Sequence, residues 1–254
     1  MNPESRIKYY SSLKQKKFRE KENKLLIEGI HLIEECLKSD YHIETVFICE
    51  SLLKSRIDSV SASIAQKKIP LVYLKNKQFL KLSDTENPQG IIAIVEKKSP
   101  GKIDYSASML VVALDGISDP GNLGTIIRTC HWFGVDNLLL SAHSVDLYNP
   151  KVVRSTQGSV FHINIFENID LTGELRILNG LGFNVIVLDV NADAVLEIKP
   201  VQDKNVLVFG NESEGISEEL SGSSYSRFKI KGYSDCESLN LAVSCGIALN
   251  ILRK

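Results

Sequence analysis

The chain has 254 residues, of which 43% are hydrophobic and 24% charged, and its 30 Lys/Arg nearly cancel its 31 Asp/Glu. That is the profile of a globular protein long enough for two domains. It excludes a membrane span, because no apolar run is long enough. It also excludes a disulfide framework or a zinc site, because the five cysteines (Cys36, Cys49, Cys130, Cys236 and Cys245) are scattered and form no C-x-x-C pair. The polar start of the chain lacks the apolar core of a signal peptide, so a cytoplasmic protein with free thiols is expected.

The near-zero net charge hides an uneven distribution. Residues 1–100 hold 18 Lys/Arg against 13 Asp/Glu, and the remainder holds 12 against 18. The excess is sharpest early, where Arg6, Lys8, Lys14, Lys16, Lys17, Arg19, Lys21 and Lys24 face only Glu20 and Glu22. Two readings fit this basic stretch: contact with nucleic-acid phosphates, or a solvated helix face. Leu25, Leu26, Ile27, Ile30, Leu32, Ile33 and Leu37 then suit the buried face of a helix. Strands are predicted at 44–48, 70–74 and 91–95, with a helical pattern over 52–66 between the first two. Residues 96–102, rich in charge with Pro100 and Gly101, break the pattern as a linker. The expected domains are 1–97 and 106–254, joined by 98–105.

The second part alternates strand and helix. Strands are predicted at 110–114, 137–140, 183–188 and 205–209, with a shorter one at 162–166. Helices are predicted at 123–133, 152–157, 171–181, 218–220 and 239–252. Near-continuous apolar strands between helices indicate a parallel sheet covered on both faces, an α/β domain.

Three polar segments interrupt this pattern where ligand sites form in such sheets. The first, Asp119-Pro120-Gly121-Asn122-Leu123-Gly124-Thr125-Ile126-Ile127-Arg128-Thr129, follows a buried strand and opens a helix. Asn122 reads as the helix N-cap or as a site residue. Arg128 can hold a phosphate or carboxylate through its planar fork, or form a surface salt bridge. The second, Phe209-Gly210-Asn211-Glu212-Ser213-Glu214-Gly215, ends another strand. Its glycines allow close backbone approach, and Glu212 reads as an anchor for hydroxyl or amine donors, or as a carboxylate at a helix start. Ser213 is not a nucleophile elbow, because Asn211 stands where that pattern needs glycine. In the third, Glu237-Ser238-Leu239-Asn240-Leu241-Ala242-Val243-Ser244, Ser238 and Asn240 could simply cap the last helix. Ala242, Ser244, Gly246 and Ala248 suit close packing of that helix. No Walker loop or Gly-x-Gly-x-x-Gly fingerprint is present.

Taken together, in this order and spacing, the three segments resemble the three motifs of the SpoU (TrmH-type) RNA 2′-O-ribose methyltransferases over about residues 109–253. Residues 1–97 resemble the small substrate-binding domain, similar to ribosomal protein L30 (L30e-like), that many members carry in front. Lys24-Leu25-Leu26-Ile27-Glu28-Gly29-Ile30-His31 matches its opening. The resemblance implies an L30e-like α/β domain followed by a parallel-sheet α/β domain with a deep trefoil knot, one of few exceptions to the rule against knots. It implies S-adenosylmethionine as cofactor, contacted at Gly210, Ile230 and Leu239 largely through backbone. It also implies a homodimer through the last helix. The reaction would place a methyl group on a ribose 2′-hydroxyl, with Arg128 at the centre and Asn122, Glu212, Ser238 and Asn240 around it. Members commonly carry Ile-Pro-x-x-Gly before the third motif. Here the segment reads Ile230-Lys231-Gly232-Tyr233-Ser234, with Lys231 and Ser234 in the Pro and Gly positions.

The function expected from these residues is an RNA ribose methyltransferase acting on ribosomal RNA. The alternatives are tRNA as substrate, a base as the methylated group, or a catalytically inactive RNA-binding assembly factor on the same fold.

Overall fold

A computed structural model describes residues 3–53, 57–98, 101–197, 204–221 and 225–253. The chain divides into two compact units. The first comprises Met1–Ser99 together with Tyr148–His162, and the second comprises Pro100–Leu147 and Ile163–Lys254. The chain therefore passes from one unit to the other at three places, where the sequence reading has the single linker 98–105.

The basic stretch is not an extended arm. It forms α1 (Pro3–Ser12) and α2 (Lys16–Glu22), ended by Asn23 in the left-handed region at φ 52°. Much of its charge is used internally. Arg19 is only 4% exposed, and its guanidinium donates to the carbonyls of Leu13 (3.0 Å) and Lys14 (2.7 Å). Lys14 donates to the Ser83 carbonyl at 2.5 Å, and Lys24 pairs with Glu44 at 2.8 Å. Lys16 and Lys21 pair with Glu20 and Glu22 at 3.7 Å on the surface.

The apolar run at 25–37 is a strand followed by a helix, and not the single helical face that its spacing suggests. Strand β1 (Lys24–Glu28) stops at Gly29, whose φ of 113° belongs to glycine, and α3 (Ile30–Lys38) starts there. Next come β2 (Ile43–Ile48), α4 (Asp58–Gln66), β3 (Leu71–Tyr73), α5 (Asn76–Leu82) and β4 (Ile91–Glu96). The sheet order is β1-β4-β2-β3; β4 is antiparallel to both neighbours, and β3 is a parallel edge strand. One core of this unit joins Ile7, Tyr10 and Leu13 of the first helix and its end to Phe47, Phe79, Leu82, Ile92 and Ile94. Glu28, buried at the end of β1, accepts from Ser83 Oγ (2.7 Å), Thr85 Oγ1 (2.8 Å) and the Asp84 N–H (2.9 Å), which ties the turn after α5 to the sheet.

The second unit begins with β5 (Leu110–Leu114), α6 (Pro120–Trp132) and β6 (Asn137–Ser141). The chain then enters the first unit as α7 (Pro150–Ser155) and a 3-10 turn. There Arg154 pairs with Asp84 at 3.0 Å and His162 with Glu35 at 2.9 Å, and Tyr41 meets Phe161 edge-on. It returns as β7 (Asn164–Ile169), α8 (Leu171–Gly180), β8 (Asn184–Leu188), β9 (Asn205–Phe209), the short α9 (Glu218–Ser221), β10 (Ser226–Phe228) and α10 (Leu241–Leu252). All six strands are parallel, in the order β10-β8-β9-β5-β6-β7. Starting from β5, the chain runs outward through β6 and β7, then reappears on the other side as β8 and β9. In open α/β sheets ligands bind at the carboxyl ends of the strands where the direction reverses, which here are the ends of β5 and β9. Leu114 lies opposite Phe209 in the register, so the loops at 115–119 and 210–217 leave the sheet side by side. Helix α10 packs on α6 and reaches β9. Burial and the neighbouring Cys245 push the Cys130 thiol well above its ordinary pKa in that packed seam.

Candidate functional site

The site is built on the start of α6. Asp119, and not Asn122, caps this helix: its carboxylate accepts from the Asn122 N–H at 2.7 Å, and Pro120 occupies the first turn, where a missing N–H costs nothing. Leu123, Ile126, Ile127 and Cys130 form the buried stripe, so the Asn122 side chain is left to reach outward. Its Nδ2 donates to Glu212 Oε1 at 3.0 Å, and its Oδ1 accepts from Asn240 Nδ2 at 2.9 Å. Asn122 thus bridges the second and third sequence segments.

Glu212 is the hub of the second loop. Beyond Asn122, it accepts from the Ser118 N–H (3.1 Å), the Ser118 hydroxyl (2.9 Å) and the Asp119 N–H (3.2 Å). Partial burial raises the pKa of this carboxyl. The bonds from Asn122 and from the Ser118 and Asp119 backbone outweigh that and hold it below the usual carboxylate range. Glu212 is therefore a helix-start carboxylate, but at α6 and not at the downstream α9. The loop is shaped by Asn211, whose Nδ2 donates to the Gly116 carbonyl at 2.6 Å while its Oδ1 takes the Ser213 and Glu214 N–H groups. The Asn211 backbone pairs with Gly215 in both directions. A Cβ on Gly210 would lie 2.2 Å from the Gly215 carbonyl carbon, so this buried glycine is required by its own loop closing over it.

Asn240 caps α10, accepting from the Ala242 (2.9 Å) and Val243 (3.3 Å) N–H groups while donating to Asn122. The segment before it, residues 231–240, is exposed throughout. Ser238 makes no capping bond; its carbonyl accepts from Cys236 Sγ at 3.4 Å. Lys231 sits over the Tyr233 ring at 5.2 Å. Ile230 and Leu239 stand at the two ends of this segment, and their backbone N–H groups donate to no described residue. Arg128 lies further along α6, exposed, and its guanidinium makes no ion pair or hydrogen bond to a described residue.

The structure thus joins Glu212, Asn122 and Asn240 in one hydrogen-bonded chain, with Gly210 at the base of the loop that carries Glu212. Arg128, Ser238, Ile230 and Leu239 are exposed or half-buried and outside that chain. Sequence reasoning missed Ser118, Asp119 and Asn211, which position Glu212 and its loop. The Asp-Pro pair was the available signal, since a capping residue followed by Pro marks a helix start three residues before Asn122.

Comparison with known proteins gives the lineage. Residues 109–250 match the model of the SpoU rRNA Methylase family, and residues 4–93 match an MRM3-like substrate binding domain. The chain belongs to the SpoU rRNA methylase family. This SpoU methylase is 32% identical over 248 residues to the 23S rRNA (guanosine(2553)-2′-O)-methyltransferase RlmP of Bacillus subtilis, covering 98% of this chain and 96% of that one. It is 34% identical to the mitochondrial rRNA methyltransferase 3 of Mus musculus, over 62% of this chain and 38% of the mouse protein. The crystal structure of an AdoMet-bound rRNA methyltransferase from Sinorhizobium meliloti superposes with a TM-score of 0.84 at 28% identity, covering 99% of this chain and 94% of that one. Among the described residues no helix of this SpoU methylase is long and apolar enough to cross a membrane.

Proposed function

We propose that this protein transfers a methyl group from S-adenosylmethionine to a ribose 2′-hydroxyl of ribosomal RNA. The observation that carries the reading is the chain Glu212–Asn122–Asn240, which fastens all three family motifs around the start of α6 and leaves the Arg128 guanidinium unpaired among the described residues on the same helix. The substrate class follows the ribosomal RNA named for its relatives. The intact polar set favours an enzyme over an inactive assembly factor.

The donors fit the cofactor. The main-chain N–H groups at Ile230 and Leu239 offer neutral hydrogen bonds, which suits an adenosyl ligand held mostly through backbone, while Gly210 lets the loop that would carry it close tightly on itself. Bound S-adenosylmethionine supplies an electrophilic sulfonium methyl, so the protein has mainly to position and to stabilise charge. Glu212 already accepts four hydrogen bonds, filling the lone-pair sites of both oxygens, so it serves as a strut between loops and not as a proton acceptor. Asn122 and Asn240 hold the loops on either side. Arg128 offers a free planar fork of donors, so its role is to grip a phosphate beside the target and stabilise charge developing on the 2′-oxygen, whose proton passes to that phosphate or to water. Ser238 lies on the exposed rim, where it would contact substrate.

The enzyme is read as a cytoplasmic homodimer. Leu239 and Val243 are exposed near the start of α10, and Trp132 is 85% exposed at the far end of α6; these are separate apolar positions along the helix pair that a second copy would cover. The trefoil knot is read into the second unit, where the chain runs from β9 to β10 beside β8 and comes back as α10 onto α6.

The test is transfer of labelled methyl to RNA with nuclease mapping of the modified nucleotide. Arg128→Ala should abolish transfer while shifting stability by no more than about 0.5 kcal/mol, as expected of an exposed side chain. Near-full activity in that variant would remove Arg128 from its role. Label on a base would replace the ribose reading. Light scattering at the monomer mass would refute the dimer.

A further inference from the structure

The strongest unassigned surface lies at the open edge of the first unit's sheet. Among the described residues, strand β3 pairs on one side only, with β2. Val72 turns to the core, while Leu71 and Tyr73 alternate to the other face, and Tyr73 is 63% exposed. Residues 59–83 contain five lysines and no acidic residue. Of these, Lys68 precedes the strand, Lys75 follows it, and Lys77 and Lys81 lie one turn apart on α5. All four are exposed and none forms an ion pair with a described residue. Like charges at i, i+4 repel, so the Lys77–Lys81 pair is retained against a cost.

Of the early basic residues, by contrast, Lys14, Arg19 and Lys24 are tied up by partners within the fold. Edge strands are often guarded by lysines against self-pairing. A guard does not need an exposed aromatic ring. An edge strand that carries such a ring between Lys68 and Lys75, with Lys77 and Lys81 on the helix packed on its Val72 face, offers what a single strand of nucleic acid requires as it crosses the edge: phosphates for the lysines and a base face for the ring.

We propose that the β3 edge binds an unpaired stretch of the RNA substrate, with Tyr73 stacking on a base and Lys68, Lys75, Lys77 and Lys81 holding phosphates. This rests on the RNA methyltransferase reading above. The test uses the full chain, a fluorescein-labelled oligouridylate and an A·U duplex of equal length, with affinity read by anisotropy across salt concentrations. Tyr73→Ala should weaken oligouridylate binding about 5- to 150-fold, the range of one stacked base, and Tyr73→Phe should restore it to within about twofold. The double variant Lys75→Gln/Lys77→Gln should reduce the slope of log affinity against log salt by about 1.4, at roughly 0.7 for each phosphate no longer neutralised.

Unchanged affinity and slope in these variants, with melting temperatures like the parent, would overturn the proposal. So would self-association of the variants with RNA binding intact, which would make the lysines an edge guard. Preference for the duplex would overturn it as well. Methyl transfer to total RNA by the parent protein is scored separately: transfer with inert β3 variants sinks this surface alone, and no transfer to any RNA sinks the enzymatic reading.

Discussion

Glu212→Gln tests whether this carboxylate is a strut. The side chain accepts four hydrogen bonds, two at each oxygen. An amide keeps one oxygen and turns the other into a donor. In the better orientation the new NH2 faces Ser118, whose hydroxyl can rotate to accept, but the Ser118 N–H loses its partner. One charge-assisted bond is lost and the others weaken to neutral strength. A hydrogen bond to a charged group contributes about 1.5–3 kcal/mol, and the exposure of this loop places the loss near the low end. We expect about 1–2 kcal/mol, or roughly 2–8 °C in melting temperature at this chain length. The pH dependence gives a second reading. The carboxyl is held below its ordinary pKa, so its contribution is full above the unfolded value of about 4.3 and is lost as pH falls through the lower folded value. Melting curves of parent and variant should therefore lie apart at pH 7 and converge toward pH 3. A gap that stays constant over that range, or one below about 1 °C at pH 7, would show that the carboxylate charge does not hold the loops.

Two further outcomes follow from the same geometry. Asn240→Ala should cost about 1 kcal/mol as a lost helix cap, and a double-mutant cycle with Asn122→Ala in urea melts should show coupling of at least about 0.5 kcal/mol; additive losses would mean that the 2.9 Å bond between them contributes nothing. Arg19→Met should lower stability by about 2–4 kcal/mol, since it abandons the Leu13 and Lys14 carbonyls in a buried corner. It should leave the salt dependence of RNA binding unchanged, and a shallower salt slope would put Arg19 in contact with phosphate after all.

The parallel sheet was legible because β5, β6, β8 and β9 are five-residue strands built on apolar runs of three to five residues, a pattern that survives without neighbours. Strand β10 was not legible: Ser226-Arg227-Phe228 is held at the edge by pairing with β8, and nothing in its own residues asks for a strand. The run from Leu25 to Leu37 misled because its helical spacing continues across Gly29, and only the pairing of β1 with β4 shows where the period changes. In the site, residue types marked Asn122, Glu212 and Asn240, but which of them touch depends on the register between β5 and β9. The role of the basic stretch was hidden for a different reason: composition counts Arg19 as surface charge, and only packing shows it buried against two carbonyls.

The excursion of Tyr148–His162 bears on how such proteins can be taken apart. A cut at residues 98–105 would leave the carboxyl-terminal piece carrying Val152, Val153, Val160 and Phe161 without the surface they were shaped to meet, and would deprive the amino-terminal piece of the partners of Tyr41, Asp84 and Glu35. Grafting a different front module onto this catalytic half would therefore succeed only if the inserted crossover were exchanged along with it, because two stretches distant in sequence make up one inheritable part.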